Sequence, residues 1–542
     1  MSSTAFKGSI DVKKAAEILL EEGLLREVAH NGFWTRDPQK APEKVFSKIT
    51  YDSRQAGNDT LLFCKGNFSP EYLKSAKNAG CSAYVSETDF PEITGMTGII
   101  VNDVRKTMAV LAAFFYDYPQ KSLKIAGITG TKGKTTTAYF THAILNAASG
   151  GKAALFSSSD NCIDGHTYVE SELTTPESLD LFSLMREAVE NGMEYAVVEV
   201  SSQAYKVNRV YGLTFDAGAF LNISPDHISD IEHPTFEDYF YCKTQIAQNS
   251  RVLIRGIDLL HSNIVDECAK MRSIDVKTFA VRAENDPEEE TSTKAASQNS
   301  KNADIQAVYS KAGNPVFKII DGGKNSENPQ PGEIKLSTEG TFNGANLAAA
   351  IAVAKTLGIN DFSAWRAAQN VTVPGRMEYF SSPDGIEAYA DYAHNYISVK
   401  NLIDYVIKKY EESESQDKKI RITVVTGSVG NKAVDRRKEI IQAAQENAHR
   451  IIITSEDTND EPFEKISREM ISYLTNESVK VSVVEDRREA VETAYREAVE
   501  NSDFHNVLLV IGKGSEKWIK KMGKHVPYEG DDAIIRRLFG LD

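Results

Sequence analysis

Short apolar runs bounded by turn residues alternate with stretches of helical spacing along nearly the whole chain. Near the N-terminus, Phe46-Ser-Lys-Ile-Thr, Thr60-Leu-Leu-Phe-Cys, Ala83-Tyr-Val and Gly98-Ile-Ile-Val read as strands, and Val104 to Tyr116 reads as a helix. Pro119 interrupts the pattern, because proline disfavours helix at the residue before it, and a domain boundary is placed near Ser122. Buried-strand runs follow at Leu123 to Ile128, Tyr195 to Val200, Asp216 to Ile223 and Arg251 to Ile254, with helical spacing between them, as at Leu179 to Glu190. Strands that alternate with helices predict a mainly parallel sheet covered on both faces. Residues 283–304 are polar and acidic and read as a surface insertion; Phe342 to Ala354 resumes as an Ala-rich helix. After Val373-Pro-Gly-Arg the rhythm restarts, with strands expected at Ile386 to Tyr392, Ile420 to Val425, Arg450 to Thr454, Val479 to Val484 and Val507 to Ile511. That reads as a doubly wound domain. The expected fold is α/β in three domains, 1–121, 122–372 and 373–542, with no internal repeat.

A chain of 542 residues suits several cores better than one. Its net charge of −15 argues against broad attraction to nucleic acid or to an anionic membrane, so an anionic substrate needs local basic groups. The five cysteines are scattered with no CxxC, which argues against a disulfide framework or a zinc site. No apolar run approaches about 18 residues, and no apolar core follows a basic start. Neither a signal peptide nor membrane insertion is expected, and the location expected is cytoplasmic.

The stretch Leu123 to Leu145, LKIAGITGTKGKTTTAYFTHAIL, passes from strand through a Gly-rich turn to a helix. This is the context a phosphate-binding loop requires. Gly130 and Gly133 let the backbone curl its N–H groups toward phosphate oxygens, and the helix from about Lys134 adds its positive end. Lys134 would neutralise the outer phosphates and the Thr135 hydroxyl would ligate Mg²⁺. The pattern is G-x-x-G-x-x-G-K-T-T-T, with Gly127 and Gly130 in place of the usual glycine five residues before Gly133, where Ile128 stands.

Other polar residues fall at strand ends, where open α/β sheets bind ligands. Glu199, inside the apolar run Val197-Val-Glu-Val-Ser-Ser-Gln, is costly unless paired or holding a cation; a structural salt bridge is the alternative to Mg²⁺ shared with Thr135. His227, in Leu221-Asn-Ile-Ser-Pro-Asp-His, could simply cap a loop, and nothing in its surroundings singles out Lys243 on its helix. Asn343 and Asn346 open a helix, where either could serve as an N-cap. Arg376 and Asp391 lie where the second and third domains would meet.

With GITGTKGKTTT, VEVSSQA, FLNISPDH, FEDYFYCK, FNGAN, PGRME and DYAH in that order, the chain resembles the Mur ligases, ATP-dependent enzymes that build the peptide of bacterial cell-wall precursors. Tyr51-Asp-Ser-Arg, Gly57 and Leu62-Phe make it similar to the branch that adds the third amino acid to UDP-MurNAc-L-Ala-D-Glu. The resemblance implies a UDP-binding domain, a P-loop ATP-binding domain and a Rossmann-like amino-acid-binding domain. It implies that Gly130, Thr131, Lys132, Gly133, Lys134, Thr135, Thr136, Asn343, Arg376 and Asp391 bind ATP. It implies two Mg²⁺ sites served by Thr135, Glu199, His227 and Lys243, with Lys243 carbamylated (N6-carboxylysine), and catalytic roles for Lys134, Glu199, His227 and Lys243. Ser53 matches a UDP contact, and Thr174, Thr175, Ser201 and Arg209 match positions that hold the muramoyl-dipeptide. The implied chemistry is an acyl phosphate on the D-Glu side chain, captured by the α-amine of the incoming amino acid in an enzyme that acts as a monomer.

Relatives that add diaminopimelate carry Asp-Asn-Pro-Arg, whose arginine pairs with the extra carboxylate. Here the corresponding stretch is Ser455-Glu-Asp-Thr-Asn-Asp-Glu-Pro462, without arginine and with Glu456, Asp457, Asp460 and Glu461. Carboxylates suit a side-chain ammonium, so L-lysine is the expected substrate, with diaminopimelate and ornithine as alternatives. Asp457 and Asp460 are the acids expected to take part. Gly512 and Glu516 belong to Gly512-Lys-Gly-Ser-Glu516, similar to the family's GKGxE motif, and Arg436 or Arg437 would take the α-carboxylate.

Overall fold

The computed structural model describes residues 6, 8–93, 95–226, 228, 232–284, 300–310, 316–322, 332–413, 417–431 and 433–541. They build three main sheets in chain order. The first has six strands, ordered Phe33–Thr35, Leu25–His30, Thr97–Val101, Ala83–Ser86, Thr60–Phe63 and Lys48–Thr50, parallel over the last four. The middle sheet has eleven strands; its parallel centre runs from Ala153–Phe156 through Tyr195–Glu199, Lys124–Thr129, Ala217–Phe220, Val252–Gly256 and Asp275–Ala283 to Ile305–Tyr309. The third has six strands, ordered Glu378–Ser381, Glu387–Asp391, His505–Ile511, Ile420–Thr426, Arg450–Ile453 and Lys480–Val483, parallel apart from the first.

The expected parallel centres are present, but the margins of the middle sheet are antiparallel. Asp160–Cys162 and Tyr168–Glu170 extend one edge, and Val316–Asp321 and Gly332–Lys335 extend the other. These strands are short and only partly covered, so they carry no continuous apolar run. Phe46-Ser-Lys-Ile-Thr is not one strand: Val45–Phe46 pairs with Ile10–Asp11, whereas Lys48–Thr50 joins the main sheet. Most of segment 283–304 lies outside the described residues; its described ends continue from one strand and lead into the next.

Strand Lys124–Thr129 is buried from Ile125 onward. Helix Lys134–Ser149 follows it and lies under helix Asn343–Thr356. Each is covered on nearly all sides, which accounts for sequences apolar around most of their circumference. The first and middle domains share one apolar core: helix Val104–Phe115 packs on helix Ser178–Glu190, with Leu111, Ala112, Leu181, Phe182 and Met185 in a single cluster. The clusters of the third sheet contain no described residue before Met377. Instead, Glu339 of the middle domain accepts hydrogen bonds from Tyr389 (2.7 Å), Tyr405 (2.9 Å) and Lys409 (3.1 Å) of the third. No helix among the described residues is long and apolar enough to cross a membrane.

Candidate active site

The phosphate loop joins Thr129 to Lys134 at the C-terminal end of the central strand. Gly133 has φ +82°, and a side chain there would collide with Asn346, so only glycine fits. Asn222, from the end of the neighbouring strand, laces the loop: its carbonyl accepts from Thr131 N (3.0 Å), its Oδ1 from Lys132 N (2.9 Å), and its Nδ2 donates to Lys132 O (3.0 Å). The Thr131 hydroxyl donates to Ser224 O (3.3 Å) and accepts from Tyr239 (3.2 Å). Lys134 folds back to donate to Thr131 O (3.2 Å), and burial holds its amine below the ordinary lysine range although Glu199 opposes the shift. Thr136 is buried on the first turn of the helix.

Glu199 ends its strand and is 1% exposed. Its partners are uncharged: Oε1 accepts from the Thr135 hydroxyl (3.2 Å), and Oε2 from Ser158 N (2.9 Å) and Ser158 Oγ (3.0 Å). The structural salt bridge considered for Glu199 is therefore not formed with any described residue. This carboxylate–hydroxyl pair at the mouth of a phosphate loop is an oxygen set suited to Mg²⁺.

Lys243, on helix Phe236–Thr244, is 1% exposed rather than solvated. Its Nζ donates to Gly130 O (2.7 Å) and lies 4.8 Å from the Tyr239 ring centre. Burial, reinforced by Lys134, pushes its amine well below the usual lysine range. His227 lies outside the described residues. The neighbouring His233 is engaged by Asp238 (2.6 Å) and Ser202 (2.9 Å).

Asn343 begins its helix, but neither it nor Asn346 is the N-cap, which Phe342 occupies. Instead Asn343 Nδ2 donates to Glu339 O (2.6 Å), and its Oδ1 accepts from Asn346 Nδ2 (2.8 Å). Asp391 holds the entry to the third domain by accepting from Met377 N and Ala393 N, both at 2.7 Å; burial raises its carboxyl, opposed by Arg376. Arg376 lies 4.5 Å from the Tyr392 ring centre, and its buried Nε has no hydrogen-bond partner. Across the gap, Asp226 stands 3.4 Å from both Lys132 Nζ and Arg436 Nη2, tying the phosphate loop to the third domain.

On the opposite side, Ser53 sits half-buried in the turn Ser53–Gln55 of the first domain. Thr174 is half-buried, whereas Thr175 is fully buried and donates to Glu199 O (2.7 Å). Ser201 caps the short helix that follows Glu199. Arg209 donates to Thr175 O (3.2 Å) and pairs with Glu177 (3.1 Å). Two cations missed in the sequence reach the same carboxylate from the first domain, Lys65 (3.0 Å) and Arg105 (3.6 Å). The available signal was position: Lys65 lies just past a strand end and Arg105 in the first turn of a helix.

In the third domain, Asp457 Oδ1 accepts from Lys513 Nζ (2.9 Å), which also bonds Glu516 and lies 4.2 Å from the Trp518 ring centre. Glu456 reaches the same place from beneath Gly512; it is 6% exposed, its Oε2 has no hydrogen-bond partner, and burial raises its carboxyl. Burial also raises Glu516, against the pull of Lys513. The structure separates the remaining candidates. Asp460 is exposed and makes no hydrogen bond or ion pair with this cluster, and Glu461 is taken by buried Arg437 (2.6 Å). Arg437 also pairs with Glu469 (2.5 Å), and Arg436 faces the middle domain.

Known proteins resemble both the sequence and the fold. The model described as the Mur ligase middle domain matches residues 128–354, and that described as the Mur ligase, glutamate ligase domain matches residues 375–514. A Bifidobacterium longum protein named UDP-N-acetylmuramyl-tripeptide synthetase is 50% identical over 538 residues, covering 98% of this chain and 100% of its own. An Enterococcus faecalis protein named UDP-N-acetylmuramoyl-L-alanyl-D-glutamate–L-lysine ligase is 38% identical over 520 residues, 96% of each chain. Among solved structures, a UDP-N-acetylmuramoyl-L-alanyl-D-glutamate–2,6-diaminopimelate ligase superposes with a TM-score of 0.59 at 21% identity, covering 95% of this chain and 97% of its own. The folylpolyglutamate synthase of Mycobacterium tuberculosis complexed with ADP gives 0.57 at 16%, covering 81% and 95%. Fold and sequence together define an ATP-dependent ligase. The chain belongs to the Mur ligase family.

Proposed function

We propose that this ligase joins L-lysine to the D-glutamyl side-chain carboxylate of UDP-MurNAc-L-Ala-D-Glu, with ATP giving ADP and phosphate. Residues 1–121 hold the nucleotide end of the acceptor, 122–372 hold ATP, and 373–542 hold the amino acid. The observation that carries the choice of lysine is the third-domain cluster: Asp457 and Glu516 hold the ammonium of Lys513, and the buried carboxyl of Glu456 stands close by, its Oε2 without a hydrogen-bond partner. Arg487, an arginine beside Glu456, is engaged by Asp531 at 2.8 Å and so is not free to take a second substrate carboxylate. The name of the Enterococcus faecalis relative, a lysine ligase, supports the same reading.

The acceptor carboxylate is itself the nucleophile. Its oxygen forms a bond to the γ-phosphorus as the bond to the β–γ bridging oxygen breaks. The α-amine then forms the C–N bond, phosphate departs with the C–O bond, and the amine loses a proton. Lys134 and the loop N–H groups stabilise the anionic oxygens gathered in both steps. When bound, Mg²⁺ supplies further neutralisation of those oxygens. Thr135 and Glu199 would hold the first ion, and His227 with Lys243 the second. An ammonium does not fit beside a cation, but a carbamate does. Lys243 is suited to become one because its buried amine is readily neutral: nitrogen bonds to the carbon of CO₂ and releases a proton. Arg436 would take the amino-acid α-carboxylate, Asn343 and Arg376 would contact the nucleotide, and Asp391 would lie at the ribose and phosphate side of ATP.

Purified chain given Mg-ATP, UDP-MurNAc-L-Ala-D-Glu and L-lysine, meso-diaminopimelate or L-ornithine tests the assignment by product mass and initial rate. L-Lysine is expected to be preferred. Ornithine, one methylene shorter, should lag by about 10–200-fold in kcat/KM. A preference for diaminopimelate overturns the lysine reading.

A further inference from the structure

The ion cluster between the first and middle domains carries more positive charge than its carboxylates balance. Glu177, with its side chain 8% exposed, has Lys65 at 3.0 Å, Arg209 at 3.1 Å and Arg105 at 3.6 Å. Burial disfavours its charge, but Lys65 and Arg209 prevail and keep the carboxyl below its ordinary value. Three cations face the carboxylates of Glu177 and Asp180, an excess of one positive charge in a chain whose total is −15. Arg105 Nη1 is buried without a hydrogen-bond partner. Lys65 is held from its other side by the Tyr51 ring, 3.8 Å away, and Tyr51 is fixed in turn by donating to Asp180 (2.5 Å). These groups have donors to spare and little freedom to carry them elsewhere.

Their position selects the ligand. Arg209 donates to Thr175 O, and the Thr175 hydroxyl donates to Glu199 O, so the cluster adjoins the strand end that faces Thr135. The acceptor's reacting carboxylate must come to that strand end. The substrate anion bound a few ångström from it is the α-carboxylate of the same D-glutamyl residue, whereas the diphosphate lies at the far end of the acceptor.

We infer that Lys65 and Arg105, acting with Arg209, bind the α-carboxylate of the acceptor's D-glutamyl residue, and that Glu177 is the fixed counter-ion that gathers these cations before substrate arrives. This rests on the acceptor proposed above and adds to it a means of telling a free α-carboxylate from its amide. The amide has nearly the same shape but no charge, so the partly buried cations would lose their partner.

Calorimetric titration of the full chain with UDP-MurNAc-L-Ala-D-Glu and with its α-amide, the D-isoglutaminyl analogue, tests the inference without turnover. Wild type should bind the acid at least about tenfold more tightly, the size expected for hydrogen bonds to a charged group. Lys65→Met and Arg105→Met should each shrink that ratio severalfold while ATP affinity and melting temperature stay near wild type, and Lys65→Arg should restore most of it. A wild type that binds both forms equally or neither overturns the inference. So do Met variants that weaken both ligands alike and keep the wild-type ratio, since a merely structural role predicts that result. Discrimination without lysine ligation would defeat the proposed reaction and leave this site standing; ligation without discrimination would do the reverse.

Discussion

Lys134→Ala is expected to abolish measurable ligation while leaving the chain folded. Lys134 stands at the helix start that closes the phosphate loop, the one lysine there whose ammonium is turned back over the loop, toward Thr131 O. Losing one preorganised donor at a site of developing negative charge costs roughly 10²–10³-fold in rate, and here the donor also neutralises bound ATP. Its contribution to folding is small by comparison: a single hydrogen bond to a carbonyl, made by an amine that burial already disfavours as a cation. Steady-state ligation set beside a thermal melt separates these effects. Wild-type turnover in the variant would remove the phosphate loop from the mechanism.

Lys243→Ala should lose activity to a similar extent, but recoverably. Acetate or formate at millimolar concentration should return part of the rate, because the missing group is a pair of oxygens and not a positive charge. Failure of the variant to lose activity would refute the role of Lys243. Unmodified Lys243 also leaves a pH signature. Its folded pKa lies below the unfolded value of 10.5, so between the two the unfolded chain binds more protons and folding stability rises with pH. Protein prepared without CO₂ should therefore melt at a higher temperature as pH is raised through that window. Bicarbonate should flatten the dependence, since a carbamate has no ammonium to lose.

Much of this site was legible before any fold was known, and the divisions are physical. The glycines and threonines around Lys134 act through local backbone geometry, which sequence encodes directly. Glu199 stood out because a carboxylate in an apolar strand has few explanations. Lys243 did not, because a helical lysine is buried only when tertiary structure covers it, here with Tyr239 and the loop carbonyl of Gly130. Lys65, Arg105 and Glu177 come from separate elements and meet only in space. In the run from Glu456 to Glu461, four acids look alike in sequence. The fold sends Glu461 to Arg437, Asp460 to solvent, Asp457 to Lys513 and Glu456 to the interior. The antiparallel margins of the middle sheet escaped for a different reason: half-covered strands have no pattern that long apolar runs would reveal.

The two joints between domains differ in what dissolves them. The first and middle domains are welded by a shared oily interior, and exposing that interior to water is opposed at about 25 cal/mol for each Å². The middle and third domains are fastened by Glu339 with its tyrosines and lysine, and by Asp226 with Lys132 and Arg436. Water replaces such ties at little net loss. Loosening is therefore easiest at the joint to the third domain, and the first two domains would come through it as one body.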